Sequence, residues 1–340
     1  MKKYSTLVYI GRFQPVHNAH VEIIRRAACM ADNLVIVVGS SFQPRTYKNP
    51  FTADERSRML RYAATNNIAD CNVHIEFNRD SIYNDQAWAI RVQELVHKHT
   101  SRNDTRVGII GHDKESTFYL KMFPQWEHEN VELIEPLHAT DIRDLYFRDD
   151  AHLKYLKAVV PSTIFDFLTE FKKTEDYTQI IRERDFVATY KKQFESLAYP
   201  PTFVTSDAVV IQSGHVLMIK RKAEPGKGLW ALPGGFLNAG TDKSMQDAAI
   251  RELREETGIK VPSPVLVGSI QDSRVFDAIE RSSRGRTITH AFYIQLPDGE
   301  LPKVKGSDDA EKARWVPIAE VKSEECFEDH YDIIRWAVGG

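Results

Sequence analysis

Five short apolar runs, residues 7–10, 34–39, 73–77, 107–110 and 131–134, punctuate the first half of the chain. Between them lie stretches whose apolar residues recur at helical spacing, 21–31, 53–65, 86–98 and 116–122. Strands this brief and this apolar are buried on both faces, and strands that alternate with helices run parallel. The pattern therefore predicts a doubly wound α/β domain, with helices on both faces of a parallel sheet and any ligand at the carboxyl ends of the strands.

The second half reads differently. Residues 151–196 turn helical, with Pro161 suited to a first helical turn, and a charged stretch follows over 172–183. Beyond Tyr199-Pro200-Pro201 the pattern changes to strands at 203–211 and 216–220, a glycine-rich loop, a helix near 244–257 and further strands. We divide the 340 residues into a first domain over 1–172, a helical connector over 173–200 and a second domain over 201–340. With 42% hydrophobic and 27% charged residues the chain has an ordinary globular composition, which excludes collagen-like, disordered and coiled-coil classes.

A net charge of -3 gives no broad positive field for a nucleic-acid backbone, so no nucleic-acid partner is expected and any phosphate site is local. Cys29, Cys71 and Cys326 are far apart in sequence and form no CxxC pair, which fits a reducing cytoplasm better than a disulfide framework. The apolar stretch after Lys2 and Lys3 is too short for a signal peptide, and no apolar run reaches the roughly 18 residues that span a bilayer, so a cytoplasmic protein without membrane contact is expected. A homo-oligomer is compatible with this composition.

The first strand runs into Gly11-Arg12-Phe13-Gln14-Pro15-Val16-His17-Asn18-Ala19-His20, after which Val21, Ile23 and Ile24 open an apolar helical stripe. Two histidines three apart thus stand at a helix start, where unpaired N–H groups and the positive dipole end attract anions. His17 and His20 can donate to phosphate oxygens, and Arg12 can add a charge-assisted contact. Spacing alone would leave two surface histidines as the blander reading.

The segment GRFQPVHNAH closely resembles the HxGH nucleotidyltransferase signature, in the form used by archaeal-type nicotinamide mononucleotide adenylyltransferases, with Ala19 where that family has glycine. Three further segments carry the resemblance: Asn49-Pro50-Phe51-Thr52-Ala53-Asp54-Glu55-Arg56, Gly111-His112-Asp113 and Thr140-Asp141-Ile142-Arg143. The resemblance implies a Rossmann-like domain that joins ATP and nicotinamide mononucleotide to give NAD and pyrophosphate with Mg²⁺, with nicotinic acid mononucleotide left open as the acceptor. It implies that His17, His20, Lys48 and Arg143 neutralise the reacting phosphates. It places Gly11, Arg12, Phe13, Gln14, Gly111, His112 and Thr140 against substrate, and stacks Trp88 on the nicotinamide ring. Thr140 is also a good helix N-cap, with Arg143 in the first turn beside the free N–H groups.

In the second half Leu232-Pro233-Gly234-Gly235-Phe236 precedes Arg251-Glu252-Leu253-Arg254-Glu255-Glu256-Thr257-Gly258-Ile259. Glu252, Glu255 and Glu256 share one helical face, where like charges repel unless a cation sits among them. Hard oxygen ligands so clustered suit Mg²⁺ or Mn²⁺. This run resembles the second half of the Nudix box, which implies an α/β/α-sandwich domain that binds metal through Gly235, Glu252, Glu255 and Glu256, with Glu256 catalytic. The family's spacing from Gly235 would place a glutamate at Thr241, and counting back from Arg251 would place it at Lys243, next to Asp242. A two-residue insertion explains the mismatch, and the missing glutamate serves that family mainly as a structural partner of the box arginine. Members joined to this adenylyltransferase resemble ADP-ribose pyrophosphatases, so ADP-ribose is the expected second substrate and AMP and ribose 5-phosphate its products. Arg286 is placed against substrate by position, and Glu300, Asp308 or a box glutamate is left as general base. The alternative reading makes the Nudix domain a non-catalytic nucleotide-sensing module that regulates the adenylyltransferase.

Overall fold

The computed structural model describes residues 2–65, 70–101, 106–112, 115–132, 139–148, 152–306 and 310–339. The chain divides into two compact units between Ile181 and Arg182, inside the segment expected as a connector. Each is taken by itself.

The first unit carries β1 (Tyr4–Gly11), α1 (Asn18–Met30), β2 (Ala31–Val38), α2 (Ala53–Thr65), β3 (Asn72–Phe77), α3 (Asp85–His97), β4 (Val107–Gly111), β5 (Glu127–Asn130), α4 (Ala139–Arg148), α5 (Leu153–Val159) and α6 (Ser162–Phe171). The strands form one parallel sheet in the order β3-β2-β1-β4-β5. Alternation along each strand sends side chains to opposite faces. Leu7, Tyr9, Leu34 and Ile36 join a core with Ile24 and Ala27 of α1, Leu60 of α2 and Ile142 of α4. Their neighbours Val8, Ile10, Val35 and Val37 join a second core with Val92 and Val96 of α3 and with Phe123 and Trp126. Helices thus cover both faces, as the run of wholly apolar strands requires. The fifth strand is displaced: it lies at Glu127–Asn130, before the apolar run expected over 131–134, of which 133 and 134 fall outside the described residues. Edge position explains this, because an edge strand needs no apolar run on both faces. The helix expected over 116–122 is a 3-10 helix, Glu115–Met122.

Strand order reverses between β1 and β4, which continue into different halves of the sheet. A crevice opens at such a switch point, at the strands' carboxyl ends. Those ends are Gly11 and Gly111.

Helix α7 (Glu175–Lys192) precedes β6 (Phe203–Gln212), β7 (His215–Arg221), β8 (Trp230–Ala231), β9 (Gly234–Phe236), α8 (Met245–Thr257), α9 (Ser263–Gly268), β10 (Ile270–Phe276), β11 (Thr287–Gln295), β12 (Ala310–Pro317) and α10 (His330–Ala337). The sheet of the second unit is mixed, in the order β10-β11-β6-β7-β12, with β8 on β7 and β9 on β6. Ala208 and Val210 of β6 pack with Ile250 and Leu253 of α8, while Val209 and Ile211, which point the other way, are equally buried. Both faces of this sheet are therefore covered too. Ser244 caps α8 by accepting from the Asp247 N–H, and Gly258 ends it in the left-handed conformation at φ 58°. Among the described residues no helix is long and apolar enough to cross a membrane.

Candidate active sites

The carboxyl end of β1 turns sharply. Phe13 adopts φ 54° and its ring folds back over Gly11 and meets His20 edge-on at 4.9 Å. Ser40 and Phe42, at the end of β2, also hold positive φ, at 47° and 57°. Non-glycine residues seldom adopt this region, and such strain collects at functional turns. His17 and His20 lie at the start of α1 with ring centroids 3.7 Å apart. The His17 backbone N–H donates to His20 Nδ1 at 3.2 Å, so the neutral ring of His20 carries its proton on Nε2 and presents a donor.

Arg143 of α4 joins this turn. Its Nη1 donates to the Gln14 carbonyl at 2.9 Å and its Nη2 to Thr140 Oγ1 at 3.1 Å, while its buried Nε has no hydrogen-bond partner. Burial, and after it the nearby Arg12 charge, hold Arg143 below its ordinary pKa. Burial also pushes Arg56 down to about 10, with Arg12 adding to the effect and Asp80 opposing it. Arg12 thus repels two buried guanidinium groups, and the three form a local positive field. An anion would relieve it.

Two of the expected substrate contacts are internal. Gln14 is 1% exposed, and both ends of its amide are taken by the Phe51 backbone: Nε2 donates to the carbonyl at 2.9 Å and Oε1 accepts from the N–H at 3.0 Å. Gln14 therefore ties the β1 turn to the NPF segment and does not face substrate. Phe13, also 1% exposed, is core packing between Tyr9 and His20. Thr140 is no N-cap either, since α4 already includes Ala139; its hydroxyl holds Arg143 instead.

The remaining residues stand on several different elements of the unit. Arg12 and Lys48 are exposed, the latter on the loop between β2 and α2. Trp88 of α3 is half-buried against Tyr119 at 5.8 Å and Phe123 at 6.1 Å, and the Tyr119 hydroxyl reaches the Ile10 carbonyl of β1. Gly111 ends β4, and His112 Nδ1 donates to the Val131 carbonyl at 3.0 Å. Arg56 closes the 49–56 segment that carries the resemblance, which gives it no role of its own. It is 1% exposed and donates to the carbonyls of Arg12, Gly39 and Ser40, pinning the ends of β1 and β2 together. Nothing in the spacing of α2 separates it from the exposed Arg58.

The second site lies between β9 and α8. Glu256 is buried and its Oε2 accepts from the Gly234 N–H at 3.0 Å. Burial pushes its carboxyl up to about 8, opposed by that N–H and reinforced by the Glu252 charge. Glu252, also raised mainly by burial, lies against Gly235, where a Cβ would come within 2.6 Å of its Oε1. Glu255 is exposed. Among the described residues no three His, Cys, Asp or Glu side chains stand together at metal-binding spacing. The expected trio is therefore not assembled as such. The reason is Arg251, whose Nη1 donates to Glu252 at 2.8 Å and Glu255 at 2.9 Å and so takes the place of a cation on that face. Two hard carboxylates, with the Glu252 charge raising the carboxyl of Glu256, still suit a divalent ion in chemistry beside a glycine cradle.

The irregular box is repaired in three dimensions. Asp242 reaches Arg251 with both oxygens, Oδ1 to Nε at 2.9 Å and Oδ2 to Nη2 at 2.8 Å, and Arg251 holds its carboxyl down to about 2. The acidic partner of the box arginine is therefore present, one residue from either counted position. Arg286 Nη1 donates to the Asp277 carbonyl at 2.6 Å, which braces the loop between β10 and β11. Asp308 lies outside the described residues.

The cytidylyltransferase-like family matches residues 8–184, and the NUDIX domain family matches residues 202–337. A bifunctional NMN adenylyltransferase/ADP ribose pyrophosphatase from Francisella tularensis, solved with AMP and a Mn ion, is 33% identical and superimposes with a TM-score of 0.88 over 99% of both chains. A nicotinamide/nicotinic acid mononucleotide adenylyltransferase of Acinetobacter baylyi is 38% identical over 53% of this chain and 93% of its own. An ADP-ribose pyrophosphatase of Methanocaldococcus jannaschii is 32% identical over 47% of this chain and 86% of its own. The chain belongs to the family of two-domain proteins in which a cytidylyltransferase-like domain precedes a NUDIX domain.

Proposed function

We propose that this is a bifunctional enzyme. Its first unit transfers AMP from ATP to nicotinamide mononucleotide, giving NAD and pyrophosphate, and its second hydrolyses ADP-ribose to AMP and ribose 5-phosphate. The full-length likeness to the Francisella protein carries the pairing of activities. For the boundaries we keep residues 1–172 and 201–340, with 173–200 between them.

In the first reaction the mononucleotide phosphate attacks the α-phosphorus of ATP directly, so no protein nucleophile is needed. Catalysis rests on positioning and on neutralising charge as pyrophosphate leaves. His20, which presents Nε2–H, and His17 donate to the phosphates, and Arg12, Lys48 and Arg143 supply positive charge. Trp88 stacks on the nicotinamide, and Gly111 and His112 line the nucleotide's side of the crevice.

In the second reaction Glu252, Glu256 and the Gly235 carbonyl would hold a divalent cation, and Glu255 would join them on leaving Arg251. Such a cation, Mg²⁺ or Mn²⁺, would supply water activation and charge neutralisation at the pyrophosphate. The Asp242–Arg251 pair supports hydrolysis over a purely sensing role, because it supplies the support that the box spacing lacked. The test is AMP release from ADP-ribose by the purified chain with Mg²⁺ or Mn²⁺, beside Glu256→Gln. Release that the substitution abolishes is the expected result. Binding of ADP-ribose without release, with NAD synthesis intact, would make the second unit a sensor.

A further inference from the structure

The loop between β7 and β8 is held from two sides. From α7, Glu183 Oε2 accepts the Gly226 N–H at 3.0 Å. From the end of β7, Arg221 Nε donates to the Pro225 carbonyl at 2.9 Å, and its backbone closes the loop through Leu229 and Gly228. Gly226 sits at φ +75°, and a Cβ there would come within 2.2 Å of the Phe327 ring, so the loop lies flat on that ring. The same ring carries the Arg221 guanidinium, 4.0 Å from its centroid. Arg221 is half-buried, and its charge acts on the carboxyls of both Glu183 and Glu256. A guanidinium fixed by one edge and one face, its charge reaching Glu256, suits a pyrophosphate dianion.

We propose that Glu183 is a positioning residue of the hydrolase site: it fixes the β7–β8 loop and, through that loop, the guanidinium of Arg221 beside Glu256. The proposal rests on the reading of Glu256 as part of that site. Glu183 touches no substrate. It acts on how Arg221 meets the phosphates, and so on substrate affinity rather than on water activation.

The experiment compares the full chain with Glu183→Ala and Glu183→Gln, measuring AMP release from ADP-ribose over a range of concentrations, with NAD synthesis as the control for the other unit. Alanine loses both the loop contact and the charge, whereas glutamine keeps an oxygen for the Gly226 N–H. We expect the alanine variant to raise KM for ADP-ribose about five- to tenfold with kcat within about twofold, and the glutamine variant to recover part of the loss. NAD synthesis stays unchanged. An unchanged KM in Glu183→Ala overturns the proposal, and so does a loss of thermal stability without any change in KM, which would reduce Glu183 to a structural clamp. Absence of AMP release from the unaltered chain would overturn the reading of the site itself.

Discussion

Replacing Gln14 by alanine tests whether the β1 turn is held by its own buried amide. The side chain satisfies both polar groups of the Phe51 backbone at 2.9 and 3.0 Å in a place that is 1% exposed. Removing it strands a buried N–H and a buried C=O, each at a cost of about 1–3 kcal/mol, so the first unit should lose about 2–6 kcal/mol. For a unit of this size each kcal/mol lowers Tm by about 2–4 °C, and a central loss of about 4 kcal/mol shifts the transition by about 8–16 °C. Gln14→Glu should recover nothing, since a carboxylate oxygen would face the Phe51 carbonyl in a buried place. Calorimetry of the full chain, with the transition of the second unit as internal reference, reads the shift, and NAD synthesis should fall with it because the turn carries His17 and His20. A Gln14→Ala transition within about 2 °C of the parent would refute the reasoning, as would a normal Tm combined with lost synthesis, which would return Gln14 to the substrate.

Other variants probe the remaining claims. His20→Ala should lower NAD synthesis about 10²–10³-fold, as loss of one donor to a developing anion does elsewhere, with circular dichroism unchanged; near-normal turnover would remove His20 from the site. Arg56→Lys cannot reach three carbonyls at once, so the first unit should melt earlier and NAD synthesis should weaken, while ADP-ribose hydrolysis is untouched. His330 is buried, accepts the Leu232 N–H through Nδ1, and is held below its ordinary pKa by burial. A depressed folded pKa means that the unfolded chain binds the extra proton first, so His330 contributes stability above about pH 6.5 that is lost as pH falls below it. His330→Gln, which keeps an acceptor for Leu232, should flatten that acid limb of the melting curve of the second unit; an unchanged limb would assign it to other groups.

Much of this was legible before any coordinates. The alternation of apolar runs with helical stripes is a local consequence of burial on both faces, and it gives the parallel sheet, the helices on both sides and the crevice at the strand ends. The motifs were legible for a related reason: a turn that feeds a helix start, or carboxylates on one helical face, are arrangements of neighbours in sequence. The edge strand was misplaced because the apolar signal marks burial and an edge strand lacks half of it.

What stayed hidden involves partners distant in the chain. Gln14 and Phe51 stand 37 residues apart, and Arg56 reaches Arg12 across 44. A sequence assigns a glutamine or an arginine in a motif to the ligand, since it shows no internal group that already satisfies it. The Nudix box makes the same point from the other side: counting residues from Gly235 or from Arg251 found no acid, yet a loop can deliver Asp242 to Arg251 from a neighbouring position. The sequence by itself determined the two folds, their order and the chemical character of each site, because periodicity and motif spacing are properties of short segments. Only the tertiary structure decided which polar side chains face substrate and which hold the protein together, because a buried hydrogen bond is defined by its partner, and the partner comes from another part of the fold.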